Sequence, residues 1–296
     1  MTTVVQPSVA EQSEAEALYR FQTETPEHVR TALGMSATRI GGGVVLSMRN
    51  DSTHFWSKAL GFGVTAPVTA QLVEEVCDFY RAERTPQAVL QIAPAFLPED
   101  WPEICAREGI VRAPSWVKLV CPTDEAVARA DALDKPDGIR VTPLAAEDAL
   151  EWGTVMMRAF GTPVEHYAEM AASTVTRLGW HPYAAWLDGE LVGTGTLLVR
   201  GETAQMFAGA VLPHARGRGG QTALLAARAR AARKLGCRVL VAETGAEQPG
   251  THNSSLHNML RLGFEVAYER PNWRWHLNPD EAGTSTDPDG ASTTGN

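Results

Sequence analysis

The 296-residue sequence contains no apolar run long enough to cross a bilayer, so no membrane span is expected. Residues 1–20 have no basic segment followed by an apolar stretch, and no secretory signal is expected there. Basic residues are outnumbered: the net charge is -9, which argues against a nucleic-acid binder, since that role needs a basic face to displace counterions. Cys77, Cys105, Cys121 and Cys237 show no C-x-x-C spacing, so neither a zinc site nor a disulfide framework is expected. Each of these thiols reads as a small buried apolar residue of a cytoplasmic protein, and no metal is implied. What remains is an ordinary globular balance, 44% hydrophobic and 21% charged, in a chain long enough for one large or two ordinary domains.

Composition divides the chain. Residues 1–12 and 279–296 are small and polar and are expected to be disordered. A linker is expected over 123–138, ending in Lys135-Pro136-Asp137-Gly138. It separates a front domain, 13–122, from a back domain, 139–278. In the back domain the pattern predicts a strand at 139–142 and helices at 146–160 and 163–178. Strands follow at 183–187, 191–199 and 203–212, the first two joined through the turn signal Asp188-Gly189. A helix at 221–235 stopped by Gly236, a strand at 238–242, a helix at 254–262 and closing strands at 264–268 and 273–277 complete it. The front half echoes this tail. Arg107-Glu108-Gly109-Ile110 and Pro114-Ser115-Trp116 match Arg261-Leu262-Gly263-Phe264 and Pro271-Asn272-Trp273, which suggests a tandem duplication.

The most informative stretch is Val211-Leu212-Pro213-His214-Ala215-Arg216-Gly217-Arg218-Gly219-Gly220-Gln221, where a strand turns through glycines straight into a helix. Such a turn points successive backbone N–H groups into one concavity, and the helix start adds partial positive charge. Glycine lets a bulky anion approach the backbone, and Arg216 and Arg218 can add charge-assisted hydrogen bonds. A Walker loop is excluded because no G-K-[ST] follows, and the third glycine of a dinucleotide fingerprint is missing. A flexible RNA-binding Arg/Gly run and an anion-binding turn without catalysis are the bland alternatives.

These residues resemble the core motif [QR]-x-x-G-x-[GA] of the GNAT superfamily of N-acetyltransferases. Arg216 and Gly219 match its first and fourth positions, and Gln221 stands where glycine or alanine is usual, its amide free to meet a phosphate instead. The stretch 253–264 is similar to the family's last helix and its L-G-F turn. The resemblance implies an α+β fold of two tandem GNAT-like domains, each a mixed, mostly antiparallel sheet with helices on both faces. That layout is similar to actinobacterial two-domain members of the family. It also implies acetyl-CoA as cofactor, held by Ala210, Val211, Arg216, Gly217, Arg218, Gly219, Gly220, Gln221 and Asn258. At the equivalent place the front copy offers Leu60-Gly61-Phe62-Gly63-Val64-Thr65-Ala66-Pro67, with no arginine and a proline that lacks an N–H. That copy is expected to have lost the cofactor and to act structurally or as a wall of the substrate cleft.

Acetyl transfer needs a neutral amine, which costs about 4–5 kcal/mol at pH 7 for an alkylamine with a pKa of ~10.4. Glu243, at the end of the 238–242 strand, is the first candidate for general base; a solvated strand-end carboxylate is the alternative. The resemblance assigns the oxyanion donor to backbone N–H near Ala210-Val211 and puts Met259 where the family's tyrosine acid stands. His252 and His257 are candidate acids; five residues apart, they are not expected to share a helix face or to form a metal pair. His166, Trp180, His181 and Tyr183 fall where the family builds its acceptor pocket, against a reading of the aromatics as core. The expected partner is a small-molecule or peptide amine, with no nucleic acid and no membrane; oligomeric state is left open. A non-catalytic acyl-CoA-binding regulator is the alternative function.

Overall fold

The computed structural model describes residues 6–134 and 136–278. The front half runs α1 (Pro7–Thr23), α2 (Glu27–Leu33), β1 (Met35–Ile40), β2 (Gly43–Met48), β3 (Lys58–Leu60), α3 (Ala70–Ala82), β4 (Gln87–Gln91), α4 (Trp101–Glu108) and β5 (Val111–Pro122). Helix α5 (Thr123–Asp131) leads to β6 (Ile139–Pro143), α6 (Ala149–Phe160), α7 (Tyr167–Ala172), β7 (Trp180–Leu187), β8 (Glu190–Arg200) and β9 (Thr203–Val211). Then come α8 (Gly220–Lys234), β10 (Val239–Gly245), α9 (Ser254–Arg261) and β11 (Glu265–His276).

Local chemistry sets most of these boundaries. The Thr69 hydroxyl accepts from Leu72 N at 3.2 Å to cap α3, and Asn253 Oδ1 accepts from Ser255 N and Leu256 N to cap α9. Asp188 (φ 51°) and Gly189 (φ 89°) form the tight turn between β7 and β8, and Gly236 (φ 83°) ends α8 left-handed. The helix expected over 163–178 shrinks to Tyr167–Ala172, because His166 takes φ 61° and delays the start.

All strands join one mixed sheet, in the order β1-β2-β3-β4-β11-β5-β10-β9-β8-β7-β6. Only β3–β4 and β9–β10 are parallel. Each of these pairs is bridged by a helix, α3 in front and α8 behind, so the halves repeat one pattern, as the Pro-x-Trp echo suggested. The expectation of two separate sheets is corrected by the middle of the sheet. There the closing strands trade places: β11 pairs with β4 of the front half, and β5 pairs with β10 of the back half, while β5 and β11 lie antiparallel between them. The closing strands expected at 264–268 and 273–277 are one continuous strand. Proline cannot donate to the ladder, and Pro114 and Pro271 fall in an irregularity between the pairs Arg270–Trp116 and Asn272–Ala113, where the register shifts.

Helices cover both faces, so strands such as β2 are buried throughout. One core joins the halves: Leu18 and Phe21 of α1 and Val44 and Leu46 of β2 pack in the same cluster as Trp152 of α6 and Met170 of α7. On the opposite face α3 and α4 pack with β4 and Trp275, and α5, α8 and α9 pack with β5 and β10. Two further expectations change. Residues 7–12 are helical, with Glu11 fully buried, and residues 123–131 form a helix whose Ala126, Val127 and Ala130 are buried rather than a linker. The tail expected over 279–296 lies outside the described residues. Among the described residues no helix is long and apolar enough to cross a membrane. All four cysteines are free and buried, and burial pushes the Cys77 and Cys121 thiols up to about 12.

Candidate active site

Strand β9 runs through Pro213–Ala215 into Gly217 (φ 77°) and Gly219 (φ 79°), and α8 begins at Gly220. Among the described residues no group accepts a hydrogen bond from the amides of residues 217–222; the first helical bond there is Ala223 N to Gly219 O at 2.9 Å. Unpaired amides at a helix start fit a phosphate. They border a cleft of about 720 Å³ that is also lined by Ala210, Val211, Ser254 and Asn258. Arg216 lines it too, but Nε donates to Val211 O at 3.1 Å and Nη2 to Ala159 O at 3.1 Å. The guanidinium therefore pins the turn to the ends of β9 and α6. Gln221 is likewise engaged, donating to Ser255 Oγ at 3.0 Å and accepting from Asn258 Nδ2 at 3.1 Å.

Beside this cleft the sheet opens. Strands β9 and β10 pair only from Thr203–Gln205 to Val239–Val241, and beyond that they part. On its other side β9 bulges: Thr194 faces Ala210 and Thr196 faces Phe207, so Ala208 (φ 53°) and Gly209 lie opposite Gly195 alone. Arg228 of α8 fastens this bulge. It is 2% exposed, and Nη1 donates to Thr196 O and Phe207 O, each at 3.2 Å. A Cβ on Gly195 would stand 2.8 Å from its Cζ, so only glycine admits the guanidinium. Burial lowers the Arg228 pKa to about 10.

Beside the cleft lies a second cavity of about 750 Å³. Its walls come from both halves: Glu14, Phe55, Trp56, Lys58 and Trp116 in front, and Met156, Phe207, Arg228, Glu243 and Met259 behind. Phe160, Gly209, Gln221 and Ser255 line both cavities, which thus adjoin one another. Glu243 is 10% exposed, accepts from Gln205 Nε2 at 2.8 Å and lies 3.5 Å from Lys118 Nζ. Burial, and then the negative charge of Glu14, push its carboxyl up to about 7. Beside it is a buried ionic cluster that reaches the cavity through Glu14. Arg270 holds Glu11 at 2.8 Å and Glu14 at 2.7 Å, and Lys118 donates to Glu14. Burial alone would raise Glu14, but Arg270 and Lys118 outweigh it and hold the carboxylate down at about 2.

The comparisons agree with this geometry. Residues 148–264 match the model of the acetyltransferase (GNAT) family, a segment that includes the bulged strand, the amide turn and α9. This segment is similar to GNAT acetyltransferase domains. Whole-chain likeness to solved structures shows the fold. A GCN5-related N-acetyltransferase from Kribbella flavida superposes with a TM-score of 0.62 at 14% identity, covering 90% of this chain and 95% of that one. A GCN5-related N-acetyltransferase from Sphaerobacter thermophilus gives 0.56 at 15% identity over 92% and 93%. A tandem GNAT protein from the clavulanic acid biosynthesis pathway gives 0.55 at 16% identity over 95% and 97%. No curated protein matches the chain.

Within the matched segment, Ala210, Val211, Arg216, Gly217, Gly219, Gly220, Gln221 and Asn258 gather around the cleft, whereas Arg218 is exposed and lines neither cavity. The Gln221 amide ties α8 to α9, in place of the phosphate contact expected of it. His252 and His257 line the amide-lined cleft, apart from the cavity that Glu243 faces. Their rings do meet, stacked at 4.5 Å, with His257 Nε2 2.9 Å from Glu247 Oε1. The five-residue spacing misled because His252 precedes the helix. The acceptor pocket expected at His166, Trp180, His181 and Tyr183 is corrected: none of the four lines either cavity. Trp180 is core, edge-on to Phe207 at 5.6 Å, and Tyr183 packs with Ala185 and Val192. His166 precedes the first turn of α7 without capping it through its side chain, and burial lowers the His181 pKa. The chamber is built instead by front-half residues that sequence reasoning passed over. The one available signal was charge inside apolar runs, Lys58 in Trp56-Ser57-Lys58-Ala59-Leu60 and Lys118 in Trp116-Val117-Lys118-Leu119-Val120. At the front-half turn, a Cβ on Gly63 would stand 2.3 Å from Phe96, whose ring fills the space a ligand would need.

Proposed function

We propose that this protein transfers an acetyl group from acetyl-CoA to a primary amine by direct attack in a ternary complex. The adjacency of the two cavities supports this reading, because the amide-lined cleft and the cavity that Glu243 lines share four wall residues. Acetyl-CoA, when bound, supplies the activated thioester; the amides of 217–222 and the start of α8 would hold its diphosphate. A carboxyl poised at about 7 suits a general base at neutral pH. In the transfer the amine nitrogen bonds the acetyl carbon, the carbon–sulfur bond breaks, and Glu243 takes the amine proton. Amides near Ala210 and Val211, on the parted edge of β9, are the donors suited to the developing oxyanion. Met259 lines the slot where the family's tyrosine is expected, so thiolate protonation falls to solvent. The acceptor is a small molecule or a peptide amine, and the setting is cytoplasmic.

A non-catalytic acyl-CoA-binding role is the second reading, favoured by Met259 and by the engagement of Gln221 with Ser255 and Asn258. Calorimetry with acetyl-CoA and a thiol-release assay over an amine panel separate the two. Binding with turnover that falls about 10²–10⁴-fold in Glu243→Gln supports acetyl transfer. Binding without turnover leaves the second reading, and no binding removes both.

A further inference from the structure

We propose that the acceptor amine also carries a carboxylate on a bulky apolar body, as an apolar amino acid does, and that Lys58 of the front half binds that carboxylate. The inference rests on the acetyl-transfer reading and adds the acceptor's chemical class.

Lys58 is 4% exposed and lines the chamber with its Nζ 3.7 Å from the centre of the Phe55 ring and 4.8 Å from that of Trp116. Among the described residues no carboxylate forms an ion pair with it and no oxygen accepts its hydrogen bond. The nearby acids are committed elsewhere. Glu14 serves Lys118 and Arg270, and Glu243 serves Gln205 and Lys118. Lys58, Lys118 and Arg270 face Glu11, Glu14 and Glu243 in and behind the chamber, and Arg228 lines it with its guanidinium bonded to backbone carbonyls. Aromatic faces return only part of what an ammonium loses on leaving water, so a buried lysine in this setting calls for an anion. That anion has one place to come from, the open chamber. The remaining wall, with Met156, Met157 and Phe207, suits an apolar body. Glu243 lines the same chamber, and its charge and that of Lys58 act on one another. Such a ligand would therefore present its amine to the carboxylate and its carboxylate to the ammonium.

The test uses phenylalanine, tryptophan and leucine, each beside its carboxamide and its decarboxylated amine. Thiol release from acetyl-CoA gives rates, and tryptophan fluorescence of the CoA-loaded protein gives affinities. The free amino acids are expected to exceed their neutral partners in kcat/KM by ten- to hundredfold. Lys58→Met is expected to abolish that preference through KM, and Lys58→Arg to retain much of it. The wild type supplies a check that needs no variant. Burial lowers Lys58 to about 8 despite Glu14 and Glu243, with Arg270 and Lys118 pressing the same way as burial. Amino-acid affinity should therefore weaken as pH rises through 8, while affinity for the carboxamides does not follow Lys58. Neutral partners used equally well, a Lys58→Met protein that keeps the preference, or a CoA-loaded protein that binds no free amino acid would each overturn the proposal. Absence of acetyl-CoA binding in calorimetry would sink the acetyl-transfer reading instead, and the same fluorescence titrations run on the protein alone would then decide for or against Lys58.

Discussion

The Tyr167 hydroxyl on α7 donates to Asp51 Oδ1 at 2.9 Å, a buried contact across 116 residues that ties the back half to the loop before β3. Asp51 also accepts from Thr53 N, Thr53 Oγ1, Phe55 N and Trp56 N. One carboxylate thus fixes the loop that presents Phe55, Trp56 and Lys58 to the chamber. Burial and the Asp51 charge keep the Tyr167 phenol protonated far above its usual range. Asp51→Ala leaves these donors without a partner and is expected to cost about 3 kcal/mol. Urea unfolding gives that number, and acceptor KM should rise more than kcat falls. Tyr167→Phe removes one bond and should cost about 1 kcal/mol.

Glu243 works as a base only when ionised. Its carboxyl is raised from 4.5 to about 7, so the active form is lost as pH falls through 7 rather than through the ordinary carboxylate range. The expected profile is a tenfold loss of kcat per pH unit below about 7 and a plateau above it. Glu243→Gln should abolish this acid limb along with most of the rate. A limb that persists in the variant would assign the titration to another group.

Gly195 leaves room for the Arg228 guanidinium, and a methyl there would stand 2.8 Å from Cζ and 3.0 Å from Nε. Gly195→Ala should push Arg228 off the carbonyls of Thr196 and Phe207 and cost roughly 1–3 kcal/mol. Because that contact holds the β9 bulge at the mouth of the slot, kcat/KM for acetyl-CoA should fall as well. Unchanged kinetics in a destabilised variant would limit Arg228 to a structural role.

The amide turn was legible because its chemistry is local. Glycines, a helix start and a preceding strand lie within a dozen residues, and the Asp188-Gly189 turn and the stop at Gly236 announce themselves through their backbone needs. The chamber was not legible, because every partner in it is distant. Glu11 and Glu14 sit in a polar-looking N-terminal segment and become buried only against Arg270 and Lys118. Trp180 and Tyr183 follow the spacing of family pocket residues, yet the exchanged strands bring Phe55, Lys58 and Trp116 to the chamber and leave Trp180 in the core and Tyr183 half-buried against a separate cluster. No periodicity in β5 or β11 says which neighbour each will choose, since both would serve equally well in either half.

Arg270 neutralises two carboxylates in the seam between β5 and β11. Removing it leaves Glu11 and Glu14 in low dielectric with Lys118 as the nearest cation, so Arg270→Met is expected to cost about 3–5 kcal/mol. Glu14, lowered from 4.5 to about 2, contributes stability that is complete above 4.5 and is lost as pH falls toward 2. Without Arg270 the Glu14 value rises, and acid unfolding should begin at a higher pH. Circular dichroism during acid titration of both proteins checks this.

The trade of closing strands also dictates an order of assembly. Strand β4 acquires its second neighbour only from Glu265–His276, a segment the ribosome makes after every other described strand. Until then the front half carries a bare strand edge, the kind of surface that invites pairing with foreign chains. A nascent chain halted midway is therefore an unfinished domain, and cutting the gene between the halves would yield two fragments that each lack a neighbour the other keeps.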